Sequence, residues 1–154
     1  MSNKSRIEQI YYSESDGSGR NQVVKNTVVS VALEADTSIK QAWVLDRIVV
    51  TLQTGPDGQK LVFYEKALVP GTVQQPLVYS NAEAHNDVYQ NSTHIEVNQD
   101  KQSDSQFWLY SVTKTEIKQC KFSFDQKQGT VAMDDISNTF EMGLGGDLIT
   151  MVLN

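Results

Sequence analysis

Short stretches in which apolar and polar residues alternate dominate the chain. Residues 29–33 alternate large apolar side chains with small or polar ones, which is the pattern of a strand with one buried face. The stretch 43–52 is apolar at most positions, which predicts a central strand covered on both faces. No segment has the sustained helical spacing that crossovers between parallel strands require, so the pattern disfavours a doubly wound fold.

Turn residues separate these stretches at short intervals. The clearest turn is Thr-Gly-Pro-Asp-Gly at 54–58, because proline presets one turn dihedral and Asp-Gly tolerates positive φ. This turn predicts that 47–53 and 59–69 pair as an antiparallel hairpin. With about ten such short strands and little helix, the chain is predicted to be all-β. We expect one domain over 1–154, an antiparallel β-sandwich of the jelly-roll or Greek-key type.

Three segments give more specific local predictions. The stretch 81–91 predicts one helical turn or an irregular loop, and the wholly polar 98–105 predicts a surface loop. Two late strands are predicted at 130–133 and 139–142, with the neighbouring Asp134 and Asp135 in a turn between them.

The charge balance argues against two classes of partner. Thirteen lysines and arginines stand against nineteen aspartates and glutamates, giving a net charge of −6. An acidic chain with scattered lysines repels phosphate backbones and anionic membrane surfaces, so we expect no nucleic-acid partner. The apolar runs are far shorter than the roughly twenty residues of a membrane helix, so no spanning segment is expected. The polar start lacks the apolar stretch of a secretory signal, which favours a cytoplasmic location and leaves non-classical release open.

The single cysteine and the missing motifs favour a non-catalytic protein without a cofactor. Cys120 is the sole cysteine, and alternation places it on the same strand face as Phe122 and Phe124. We therefore expect a buried structural thiol, since an activated nucleophile would need a basic neighbour and a histidine. The sequence contains neither a Gly-x-Ser-x-Gly motif nor a zinc-protease helix motif. An enzyme would therefore need a catalytic triad assembled from residues that are distant in the sequence.

The two histidines form part of one candidate site. His85, Asn86 and Asp87 are consecutive in a loop-like segment, which makes them a candidate group for binding a ligand or partner. With His94 they would still fall short of a three-histidine metal site, so no metal is expected. The simpler interpretation is that both imidazoles are ordinary surface groups. The acidic segment 13–21 likewise suggests either a cation loop or, more simply, a hairpin loop.

Aromatic residues supply the second candidate site. In the stretch 107–110, alternation puts Phe107 and Leu109 on one face and Trp108 and Tyr110 on the other. If the first face is core, Trp108 and Tyr110 stand together on a surface where they could stack on a sugar ring or anchor a protein. Alternatively, the strand is central and both of its faces are buried.

These observations favour a function carried by the surface. Fourteen glutamines and nine asparagines give the chain an uncharged polar character, and its many strands have edges to manage. The favoured hypothesis is a non-catalytic subunit that self-associates into a homo-oligomer or an ordered assembly. The alternative is a carbohydrate-binding, lectin-like module, which could belong to a toxin or virulence component. An unrecognised enzyme is the third hypothesis.

Overall fold

A computed structural model describes residues 3–13, 22–67, 69, 71–82 and 87–141. Its strands are β1 (Asn3–Ser13), β2 (Gln22–Leu33), β3 (Ser38–Val44), β4 (Ile48–Gly55), β5 (Gly58–Glu65), β6 (Val73–Gln74), β7 (Val78–Tyr79), β8 (His94–Gln99), β9 (Gln106–Val112), β10 (Glu116–Asp125) and β11 (Thr130–Glu141). One short helix, α1 (Asp87–Gln90), lies between β7 and β8. The all-β prediction is confirmed, with eleven strands in the described residues instead of about ten.

The strands form three sheets. Their orders are β1-β2-β6, β3-β4-β5 and β7-β11-β10-β9-β8. Long neighbouring strands pair antiparallel, as predicted. Two pairings of two residues each, β2 with β6 and β7 with β11, are parallel. The architecture is therefore sandwich-like, although the sequence pattern did not predict its division into three sheets.

The β4–β5 hairpin is the predicted one. Gly55 pairs with Gly58 across the turn, and Gly58 has a φ of 100°, which a residue without Cβ adopts at little cost. Strand β4 is buried from Ile48 to Gln53, on both of its faces. The doubly covered central strand predicted over 43–52 is therefore confirmed only for 48–52, since residues 43–44 end β3 and 45–47 form the connection to β4.

Two hydrophobic cores lie on the two faces of the β3-β4-β5 sheet. The larger core joins that sheet to the five-stranded sheet, and its buried residues are Leu45, Ile48, Val50, Leu52, Leu61, Phe63, Tyr89, Ile95, Val97, Phe107, Leu109, Cys120, Phe122, Phe124, Val131 and Met133. The smaller core joins the opposite face to β1 and β2, through Ile7, Val28, Val29, Val31, Leu33, Val49 and Tyr64. The three sheets are thus stacked as layers with β3-β4-β5 in the middle.

Aromatic rings fill the centre of the larger core. Phe107 stacks on Phe122 with 5.1 Å between ring centroids and 12° between ring planes. Phe63 approaches Phe107 at 5.9 Å and Phe122 at 5.8 Å, and Tyr79 meets Phe63 edge-on at 5.4 Å. Each fully buried phenylalanine contributes about 1.5–3 kcal/mol from area alone. This cluster anchors the five-stranded sheet, and so fixes the positions of strands β9 and β10.

Strand β11 corrects one prediction. The stretch predicted as two strands with a turn is a single strand, Thr130–Glu141, and it contains Asp134 and Asp135. The pairing with β10 shifts register between Gln119 and Cys120 and again between Lys121 and Phe122. Such bulges bend a strand without ending it, which explains why a short polar interval did not become a turn.

One further local prediction needed adjustment. The polar stretch 98–105 is a surface loop only from Asp100 onward, because Asn98 and Gln99 complete β8. Strand β1 was not predicted, and it pairs with β2 along its whole length. The helical turn that was one alternative for 81–91 is α1.

Candidate functional site

Strand β9 separates the core from an outward face. It lies between β8 and β10 in the five-stranded sheet and pairs with both. Phe107 and Leu109 are buried in the larger core, whereas Trp108 and Tyr110 are half-buried on the other side. The alternation is therefore as expected, and the described residues do not cover the outer face of β9 as they cover its inner face.

Strand register builds two rows across this outer face. Asn98 of β8 and Lys121 of β10 both pair with Trp108. Glu96 of β8 and Gln119 of β10 both pair with Tyr110. Because directly opposed residues of antiparallel strands project on the same side, each aromatic ring stands between two polar neighbours.

Amides fix the Tyr110 hydroxyl. Gln119 Nε2 donates a hydrogen bond of 3.0 Å to Tyr110 Oη. Asn138 Nδ2 in turn donates one of 2.8 Å to Gln119 Oε1. The Tyr110 hydroxyl thus serves as an acceptor in this chain and retains its own proton as a donor.

A lysine lies against the Trp108 ring. Lys121 Nζ is 5.2 Å from the centroid of the indole, within the range of a cation–π interaction. The same nitrogen is 3.8 Å from Asp100 Oδ2 in the loop after β8. The side chains of Lys121 and Asp100 are 31% and 14% exposed, so the pair is partly withdrawn from solvent.

Gln99 shapes the loop that borders this face. Its Nε2 donates to the carbonyl oxygens of Ser103 at 2.7 Å and Gln106 at 2.9 Å, which closes the loop on itself. Its Oε1 accepts a bond of 2.8 Å from the Asp46 amide of the middle sheet's β3–β4 connection. Asp100 Oδ1 accepts a further bond of 2.9 Å from the Gln102 amide. The loop is therefore held by side-chain hydrogen bonds at its base.

These groups enclose a cavity of about 650 Å³, here called the Trp108 cavity. Its described lining is Asn98, Gln99, Asp100, Lys101, Gln102, Trp108, Tyr110 and Lys121. Aromatic faces beside amides are suited to holding a ring that is apolar on one side and hydroxylated at its edge. The sequence singled out Trp108 and Tyr110 but missed the other six, since only cross-strand register and the loop fold bring them together.

A second polar cavity of similar volume differs in one respect. It lies at the other end of β10 and is lined by residues that include Arg47, Ser123, Phe124 and Gln126. Phe124 is buried in the larger core, and Arg47 Cζ lies 5.5 Å from its ring centroid while the guanidinium donates to Gln126 Oε1. This cavity therefore offers hydroxyl, amide and charged groups, while its described aromatic ring is buried beneath Arg47.

The histidine candidates are not joined to this site. His85 and Asn86 lie outside the described residues, and Asp87 begins α1. His94 begins β8 and lines a separate cavity of about 280 Å³. Its Nε2 is shielded and has no hydrogen-bond partner among the described residues. In the same part of the chain, no three side chains from His, Cys, Asp and Glu form a group that could hold a metal ion.

The most strongly perturbed ionisable groups are structural tyrosines. Burial raises the pKa of Tyr79 and of Tyr89 in the larger core. Burial also raises the pKa of Tyr64 in the smaller core, against the opposing effect of a hydrogen bond from Gln53. Cys120 is fully buried beside Phe122 and Phe124, as its strand alternation predicted.

Comparisons with known proteins do not assign a function to this chain. The chain matches no protein-family model, and neither the curated proteins nor the solved structures show a significant similarity to it. In the ranges described above, no helix is long and apolar enough to cross a membrane.

Proposed function

We propose that this protein is a non-catalytic carbohydrate-binding module whose site is the Trp108 cavity. The observation that carries the proposal is the position of Trp108 and Tyr110, half-buried side by side on the outer face of β9 among amide side chains. A half-buried indole and phenol with polar neighbours offer what a pyranose ring uses, which is an apolar surface for its C–H face and partners for its hydroxyls.

The size and spacing of the site fit an oligosaccharide. A volume of about 650 Å³ lies within the usual range of about 300–1,000 Å³ for ligand pockets. Residues two apart in a strand are separated by roughly 6.6–6.8 Å, so the two rings extend the platform along β9. Asn98 and Gln102 supply amide groups in the same lining.

A glycan array followed by titration tests this proposal. We expect the wild-type chain to bind at least one saccharide and Trp108→Ala to weaken that binding at least tenfold, because the stacking surface is lost. Phe140→Ala is the matched control, since Phe140 lies at the end of β11, is 54% exposed and does not line the cavity. An array without any bound saccharide, or equal loss in the two variants, would contradict the proposal.

Self-association, which the sequence favoured, is a second candidate function because of the sheet edge that β1 forms. Strand β1 spans eleven residues and pairs with β2 along one side, while no described strand pairs with its other side. A long free edge is a template for a strand of another chain. Light scattering at micromolar concentration tests this candidate, and a mass of 17.2 kDa alone would exclude a stable oligomer.

A further inference from the structure

We infer that the saccharide held by the Trp108 cavity is acidic and that Lys121 recognises its carboxylate. This inference rests on the proposed function and narrows it to one ligand class. The feature behind it is a lysine that the fold positions at the cavity wall and leaves short of hydrogen-bond acceptors.

The position of Lys121 is restrained from two sides. The indole of Trp108 lies beneath its ammonium at 5.2 Å, and Asp100 lies 3.8 Å away across the loop. Holding a flexible lysine in one place costs side-chain entropy before any ligand arrives. A lysine already held this way binds an incoming anion with less further ordering.

The hydrogen-bonding capacity of this ammonium is unfilled. A distance of 3.8 Å to Asp100 Oδ2 is an ion-pair contact and is longer than a hydrogen bond. No described residue accepts a hydrogen bond from Lys121 Nζ, although the group has three N–H donors. The side chain is 31% exposed, and an ionised oxygen of a ligand would form a charge-assisted hydrogen bond with these donors.

The charge of the wall favours an anion. Lys101 and Lys121 line the cavity with one carboxylate, that of Asp100, whose Oδ1 already accepts from the Gln102 amide. Asp100 keeps its negative charge beside Lys121, so the described lining carries two cations and one anion, an excess of one positive charge. A chain with a net charge of −6 repels anions over most of its surface, so this local excess matters for selecting an acidic ligand.

The test compares the binding affinity of acidic saccharides with that of their neutral carboxyl methyl esters. The probes are fragments of oligogalacturonate, hyaluronan and sialyllactose, each beside its carboxyl methyl ester, titrated against the full chain at low and at physiological salt. We expect at least one acid to bind about tenfold or more tightly than its ester, because the ester removes a charge-assisted hydrogen bond. We also expect added salt to reduce that preference.

Variants of Lys121 assign the preference to this residue. Lys121→Met should abolish the preference for the acid, so that the acid and its ester bind this variant with equal affinity, and Lys121→Arg should keep the preference. Lys127→Met, in the exposed β10–β11 turn, is the control for a general change in charge. Esters that bind as well as acids, or a preference that survives Lys121→Met, would overturn this inference and leave the carbohydrate proposal standing. Binding of no saccharide at all would overturn both.

Discussion

Strands β4 and β9 are both interior strands with dense apolar sequence, yet the fold covers them differently. β4 is buried on both faces because the β1-β2-β6 sheet covers its Val49 side and the five-stranded sheet covers its Val50 side. β9 has Phe107 in the larger core, while Trp108 stays half-buried on the other side. The difference lies in the third layer, which is present behind β4 and absent behind β9 among the described strands.

The side chains of β4 and β9 differ in type in the same way as the two strands differ in burial. The side of β4 that faces the smaller core carries Val49, Thr51 and Gln53, all of which are buried. The uncovered side of β9 carries Trp108 and Tyr110, whose rings have polar tips that suit a boundary with water. On β9, large amphipathic aromatic side chains thus occupy the face that the described strands leave uncovered.

Both regions contain a glutamine bonded to a tyrosine hydroxyl. Gln53 Nε2 donates to Tyr64 Oη at 2.8 Å inside the smaller core, and also to Thr51 Oγ1 at 3.1 Å. Gln119 Nε2 donates to Tyr110 Oη at 3.0 Å on the outer face. The same chemical pair is therefore buried within the smaller core in one place and half-buried on an outer strand face in the other.

The largest effect on stability is expected from a substitution on the face of the five-stranded sheet that packs in the larger core. Phe122→Ala removes a fully buried ring that stacks on Phe107, and we expect it to lower the free energy of unfolding by about 3–5 kcal/mol. Urea denaturation followed by far-ultraviolet circular dichroism measures this loss. Trp108→Ala, measured in parallel, should cost clearly less, and equal losses would mean that the outer face is as covered as the inner one.

A second effect is expected at alkaline pH. Burial raises the pKa of Tyr64 and Tyr79 above the ordinary value of 10.0, so above about pH 10 the unfolded chain releases protons that the folded chain still holds. The stability from these tyrosines is complete below pH 10 and is lost as the pH rises towards their folded pKa values. Urea midpoints at pH 8 to 11, with absorbance at 295 nm, should show falling stability and ionisation on unfolding. A constant midpoint up to pH 11 would contradict this.

The smallest effect separates the two glutamine–tyrosine pairs. Tyr64→Phe removes a buried hydrogen bond and should cost about 1 kcal/mol, with Gln53 still bonded to Thr51. Tyr110→Phe removes the partly exposed bond, where water replaces the lost partner, and should change stability by less than about 0.5 kcal/mol. Thermal unfolding of both variants measures the two losses of stability. A larger loss for Tyr110→Phe than for Tyr64→Phe would show that the two environments were assigned wrongly.

Features that depend on neighbouring residues could be predicted from the sequence. The turn at 54–58 predicted the β4–β5 hairpin, because proline fixes its own φ and glycine allows the positive φ that Gly58 adopts. Alternation within a strand put Cys120 with Phe122 in the core and Trp108 with Tyr110 on the opposite side.

Features that depend on strand pairing could not be predicted in the same way. Lys121 meets Trp108 only through the β9–β10 register, and Asp100 reaches Lys121 only through the loop that Gln99 holds. Asp134 and Asp135 remain in β11 because bulges absorb the register shift, a long-range adjustment that local turn propensity does not reveal.

The middle position of the β3-β4-β5 sheet has a consequence for trimming the chain. A sheet stacked on both sides has no face prepared for water, so shortening the protein from its amino end through β2 would strip one covering layer. Val49 and Tyr64 would then form part of a bare apolar surface on an otherwise intact pair of sheets. Truncated fragments that keep the five-stranded sheet would therefore gain adhesiveness of a new, unselective kind.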